Sequence, residues 1–224
     1  MRVRVAPRAQ FVVGLLVATA VSTVLLAAEW LMYGQLLHQY LVWNLFLAWL
    51  PFLLAIWLVK VLRRKLWSSW EALLITVAWL AFLPNSFYMV SDFIHLNELG
   101  NDQVLFGAVM FTSFVFTGLC LGASSLYLVH TEMLKRVSRH TATMMVGVLL
   151  LIASGAIYMG RDLRWNSWDV ILNPFGLLFD VSYRLVHPSQ YPQVFGVILP
   201  FFVLLATIYF VVWNAISAVR KASS

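Results

Sequence analysis

The chain has 224 residues, 62% of them hydrophobic and only 11% charged, with a formal net charge of +6. A soluble domain carries about 25% charged residues, so an ordinary water-soluble fold is excluded. The apolar residues come in membrane-length blocks and not in the short alternating runs of a β-barrel, which makes the fold all-α and polytopic.

Six spans are legible in chain order, at Phe11–Ala28, Leu41–Val59, Ala72–Val90, Val104–Val129, Thr143–Met159 and Val194–Ile216. Together they predict one six-helix membrane domain over residues 1–224. The first span comes after Arg2, Arg4 and Arg8 and ends in Ala27 and Ala28, as a signal peptide would. Its apolar run exceeds a signal sequence's core, so a retained helix is expected. Pro51 and Pro200 sit inside spans two and six, where a kink is expected. Cys120, in span four, is the single cysteine, so no internal disulfide can form. Gly118 and Gly122 in the same span have GxxxG spacing, which leaves homo-oligomerisation through that helix open. A further apolar piece, Phe175–Tyr183, is too short to span and contains Asp180. The segment over about residues 160–183 is therefore expected at the membrane interface.

Charge sets the orientation. Arg2, Arg4, Arg8, Lys60, Arg63, Arg64, Lys65, Lys135, Arg136, Arg139, Arg220 and Lys221 fall on one side of a six-span chain, and only Arg161, Arg164 and Arg184 fall opposite. The positive-inside rule then predicts both termini in the cytoplasm of a cell inner or plasma membrane. The basic balance needs only topology and contact with anionic lipid, and no nucleic-acid motif is present. Glu29, Asp92, Glu98, Asp102, Asp162, Asp169 and Asp180 fall outside, against Glu71 and Glu132 inside, so the outer face reads as acidic. Trp30, Tyr33, Tyr40, Trp43, Trp67, Trp70, Trp165, Trp168, Tyr191 and Trp213 lie near span ends, as an aromatic belt does.

Two polar motifs interrupt this pattern. The first, LPNSFYMVSDFIHL from Leu83 to Leu96, closes span three. Pro84 is expected to kink or break the helix, with Asn85 partnering a freed carbonyl or capping a new helical segment. On a continued helix Asn85, Tyr88, Asp92 and His95 share one narrow face. Polar groups at a membrane segment are costly, so such a stripe needs a reason. The second motif, GRDLRWNSWDVILNP from Gly160 to Pro174, comes directly after span five. On a helix, Arg161, Arg164 and Trp168 share one face while Asp162, Asn166 and Asp169 share another, and Asn173-Pro174 is expected to end the segment.

These motifs resemble the signature of the bacterial integral membrane proteins described as domain of unknown function 1361. Those proteins carry a similar LPN-x-x-Y-x-x-x-D-x-x-HL run, here Leu83, Pro84, Asn85, Tyr88, Asp92, His95 and Leu96. They also carry a similar GR-x-x-R-x-NSWD run, here Gly160, Arg161, Arg164, Asn166, Ser167, Trp168 and Asp169. The resemblance extends from about span two to span six. This chain departs at Ser86-Phe87, where relatives often resemble Ala-Pro. The resemblance implies a six-span membrane protein and no particular activity.

Asp92 and His95 are the candidate catalytic acid/base pair, and the bland alternative is a simple hydrogen-bonded pair. With Glu98 they carry metal-ligand spacing. A metal site would need His38 or His187 to join, and with no HExxH or cysteine pair none is expected. Arg161 and Arg164 suit a phosphate or carboxylate, or a structural bridge to Asp92, Asp162 or Asp169. The candidate ligand site is thus Asn85, Tyr88, Asp92, His95, Arg161, Arg164, Asn166, Trp168 and Asp169. No GxGxxG, Walker A or GxSxG pattern is present, and no cofactor is expected. Three functions fit: a membrane protein binding a lipid headgroup, an anionic envelope ligand or a partner at its outer face; an enzyme acting on a lipid-linked or envelope substrate; and, least supported, a small transporter. Spans one, two, four, five and six hold almost no ionisable residue, and no internal repeat is evident. Convergence of the two motifs is the expectation that geometry tests.

Overall fold

The computed structural model describes residues 7–34, 37–163, 172–187 and 189–222. All regular structure among them is helical: α1 (Pro7–Tyr33), α2 (Tyr40–Leu62), α3 (Trp70–Tyr88), a 3-10 helix (Met89–Glu98), α4 (Val104–Met133), α5 (Arg139–Asp162), α6 (Pro174–Val186) and α7 (Pro192–Ala222). Six segments are long and apolar enough to cross a membrane: Ala9–Tyr33, Tyr40–Leu62, Trp70–Glu98, Val104–Met133, Arg139–Arg161 and Pro192–Val219. Each expected span falls inside one of them, and the helices run past the expected limits by several residues at one or both ends.

Helices α2, α3 and α4 pack on one another at the centre, with α1 against α4 and α7 against α5. One buried cluster joins the inner parts of α2 to α5 and α7 through Leu58, Trp79, Leu83, Leu126, Leu150 and Leu205. A second joins α1, α2 and α4 through Leu15, Leu41, Phe52, Phe111 and Phe114, with Met89 of the 3-10 helix. The outer helices instead present apolar side chains outward, such as Leu16, Val17 and Val24 of α1 and Val203, Phe210 and Val211 of α7. In water such a surface would aggregate; against acyl chains it costs nothing.

Lipid tails are as apolar as leucine, so polar contacts and close packing must specify how the helices meet. Trp79 Nε1 donates to Ser125 Oγ at 2.7 Å, and Ser125 Oγ donates to the Pro51 carbonyl at 2.9 Å, which ties α3, α4 and α2 at one point. Ser86 Oγ reaches the Ala48 carbonyl at 2.9 Å, and Trp49 Nε1 reaches Thr19 Oγ1 at 3.1 Å. The GxxxG face of α4 is turned inward onto α3. A Cβ on Gly118 would lie 2.6 Å from the Ser86 carbonyl oxygen, and one on Gly122 would lie 2.6 Å from Phe87 Cε1. The glycines let these two helices approach within the chain.

Pro84 does not break α3. The helix runs through it to Tyr88, and Asn85 lies inside the helix instead of capping a new one. A membrane helix that unravelled would leave several backbone groups without water to bond, whereas continuing past a proline frees only one carbonyl. The change comes five residues later, where the backbone tightens into ten residues of 3-10 helix. Asn173 and Pro174, expected to end the segment before them, also open the next helix. Asn173 Oδ1 accepts the Gly176 N–H at 3.1 Å, and Pro174 takes the first helical position, where a missing N–H costs nothing. The helix they open, α6, exposes Phe175, Phe179, Tyr183 and Val186 along one side.

Candidate functional site

One end each of α2, α3, α4 and α5 meets around the 3-10 helix. With three residues per turn, Met89, Asp92, His95 and Glu98 line up on one edge. Burial falls along that edge, from Met89 and Asp92, which are buried, through partly exposed His95 to exposed Glu98. The segment is therefore not the continued α-helix that the shared face assumed, although Tyr88, Asp92 and His95 still line one cavity.

Asp92 is the deepest ionisable group at this end, with 2% of its side chain exposed. Asn44 Nδ2 of α2 donates to its Oδ2 at 3.2 Å. Arg161, at the end of α5, places Nη1 3.7 Å from Asp92 Oδ1 and donates from Nη2 to the Ser91 carbonyl at 2.8 Å. Its guanidinium also sits 5.9 Å from the Tyr88 ring centre. The first motif thus meets the start of the second through one arginine. Burying a carboxylate costs several kcal/mol unless charge and hydrogen bonds compensate, and Asn44 and Arg161 are the groups that do so here.

His95 does not bond to Asp92. Its Nδ1 lies 2.8 Å from Glu98 Oε1, one 3-10 turn on, and its ring packs 5.2 Å from that of Tyr40. Tyr40 in turn meets the edge of His38 at 6.0 Å, and His38 Nδ1 lies 2.7 Å from Glu29 Oε1. Glu29 and His38 are both buried. Two acid–imidazole pairs therefore flank one tyrosine, with Asp92 beside it.

A cavity of about 300 Å³ opens among these groups, lined by Tyr40, Asn44, Tyr88, Asp92, His95 and Arg161. Of the residues expected from sequence, Tyr88, Asp92, His95 and Arg161 come together here. Asn85 lies one turn back in α3, outside the lining. Arg164, Asn166, Trp168 and Asp169 fall outside the described residues. Among the described residues no group of three or more His, Cys, Asp or Glu side chains is arranged to hold a metal ion. His38, one of the two histidines that a metal site would have needed, pairs with Glu29.

Sequence reading missed Tyr40 and Asn44 as lining residues and Glu29 with His38 as their support. Tyr40 reads as belt, yet its hydroxyl is buried. Asn44 carried the one signal that could have found it, a neutral polar residue within an otherwise apolar span.

The fold and this cluster define a multi-pass helical membrane protein with a polar pocket where four of its helices end. The profile of the family described as Protein of unknown function (DUF1361) matches residues 43–208, and the chain belongs to that family. No curated protein and no solved structure matches the chain.

Proposed function

We propose that the pocket at the Asp92–Arg161 end binds the headgroup of a membrane lipid or of a lipid-linked envelope molecule. The observation that carries this reading is a cavity of about 300 Å³ walled by two tyrosines, an asparagine, a carboxylate, an imidazole and a guanidinium. That volume is at the small end of the usual range of about 300–1,000 Å³, which suits a headgroup-sized moiety. The test is purification in mild detergent and then mass spectrometry of the co-purifying molecules. A specific lipid or lipid-linked species is expected with the natural chain and is depleted in His95→Ala and Arg161→Gln. Identical bound species in all three proteins would defeat the reading.

One observation favours an enzyme as the second reading. The His95–Glu98 pair, 2.8 Å apart at the edge of the pocket, is an imidazole oriented by a carboxylate, the arrangement of a general base, and Asp92 faces the same space. Its substrate would be the lipid-linked or envelope molecule that the pocket holds.

The orientation belongs to the same reading. The basic loops after α2 and α4 lie at the end opposite the pocket, where Arg136 stacks 5.2 Å from the Trp67 ring centre. Positive-inside bias then puts that end and both termini in the cytoplasm of a bacterial inner membrane, and the pocket outside. Helix α6, with its exposed Phe175, Phe179 and Tyr183, lies in the outer interface.

A further inference from the structure

We infer that the pocket recognises a primary ammonium group, so that the headgroup it takes is an amine-bearing one and not a purely anionic one. The inference rests on the headgroup reading and narrows it.

Among the described residues, five buried side-chain polar atoms have no hydrogen-bond partner in the protein: Glu29 Oε2, Tyr40 OH, Ser69 Oγ, Asp92 Oδ1 and His130 Nε2. Three of the five gather at this one end. Tyr40 and Asp92 line the cavity, and Glu29 stands behind Tyr40 through His38. All three atoms are oxygens. An ionised carboxylate only accepts, and a phenol oxygen accepts as well as donates, so what the site lacks is a donor.

Charge points the same way. Asp92 lines the pocket with Glu98 and Glu29 nearby, and among the described residues Arg161 is the one Lys or Arg side chain in the lining. Arg161 is already engaged with the Ser91 carbonyl and with Asp92. A bare phosphate would meet the Asp92 carboxylate, with Glu98 and Glu29 close behind the lining, and a guanidinium held by the protein. An ammonium would meet a buried carboxylate oxygen without a hydrogen-bond partner and a phenol oxygen beside it. Its three N–H groups match several acceptors at once, whereas a quaternary ammonium has the charge and no donor. In a zwitterionic headgroup the phosphate would remain on the Arg161 side.

The experiment uses the full chain in mild detergent and native mass spectrometry. Phosphatidylethanolamine, phosphatidylcholine and phosphatidylglycerol of one acyl composition are titrated separately. Ethanolamine lipid is expected to bind about tenfold or more tightly than either of the others, the scale of one charge-assisted hydrogen bond. Asp92→Asn is expected to remove that preference. Tyr40→Phe, which deletes one hydroxyl and keeps the ring, is expected to weaken it severalfold and serves where Asp92→Asn fails to fold. Displacement of the lipid by equimolar glycerophosphoethanolamine upholds the ammonium chemistry and assigns a soluble ligand; no displacement upholds it and assigns the lipid. Choline lipid binding as well as ethanolamine lipid shows that charge without N–H donors suffices and overturns the inference. Glycerol lipid binding best, and losing affinity in Tyr40→Phe, overturns the ammonium while leaving the headgroup site standing. No lipid preference and no effect of either variant overturns both.

Discussion

Replacing Arg161 with glutamine isolates the contact on which the pocket depends. It removes a guanidinium 3.7 Å from Asp92 Oδ1 and a hydrogen bond of 2.8 Å to the Ser91 carbonyl. Asp92 then keeps the Asn44 amide at 3.2 Å, with its side chain still 2% exposed. Removing one partner of a buried ion pair costs about 3–5 kcal/mol. The pair is separated by more than a hydrogen bond, and the arginine side chain is 22% exposed, which places the loss at the lower end, about 3 kcal/mol. At about 2–4 °C per kcal/mol for a chain of this size, the melting midpoint falls by roughly 6–12 °C. Asp92→Asn alone should cost less, because Arg161 keeps the Ser91 carbonyl and some access to water. The double variant carries neither charge, so its loss should fall short of the sum of the singles by about 1–3 kcal/mol. Tryptophan fluorescence during heating of the four proteins in detergent measures all three differences. Losses that add to within about 0.5 kcal/mol would show that the two residues do not act as a pair. An unchanged midpoint in Arg161→Gln would show that Asp92 is not held by it at all.

The close approach of α3 and α4 predicts that Gly118→Ala destabilises by about 1–3 kcal/mol, since the added carbon meets backbone that must move. Gly147→Ala, with open space around its Cβ, should leave the same thermal midpoint unchanged or stabilise by up to about 1 kcal/mol through helix propensity; equal losses at both positions would refute the packing argument. For the orientation, single cysteines replacing Ser68, between α2 and α3, and Asn101, between the 3-10 helix and α4, in a Cys120→Ser chain should separate cleanly. An impermeant thiol reagent should label Asn101→Cys in intact cells and Ser68→Cys only after permeabilisation, and the reverse pattern would invert the proposed topology.

Much of the fold was legible because a bilayer imposes its thickness on the sequence. Each span needs a block of about twenty apolar residues, and such blocks survive any detail of packing. Asp92, Tyr88, His95 and Arg161 were legible for the matching reason that polar groups at a membrane segment stand out against it. Tyr40 was not, because a tyrosine at a span end looks the same whether it faces headgroups or a pocket. Glu29 and His38 were not, because their pairing depends on a loop that sequence spacing does not describe. The winding from Met89 to Glu98 was hidden as well, since no residue pattern separates 3-10 from α-helix over so short a stretch. The break allowed for at Pro84 did not occur, because a membrane cannot satisfy the backbone that a break would free.

The 3-10 edge has a consequence for how anything would enter the pocket. At about 2 Å of rise per residue, its side chains stand roughly 6 Å apart, farther than the same residues would on an α-helix. Glu98, His95 and Asp92 therefore form rungs from water inward, each about one small polar group beyond the last. A charged guest descending them would trade its hydration shell in instalments, one protein group per step. The barrier to entry is then set by the largest single step and not by the whole cost of desolvation.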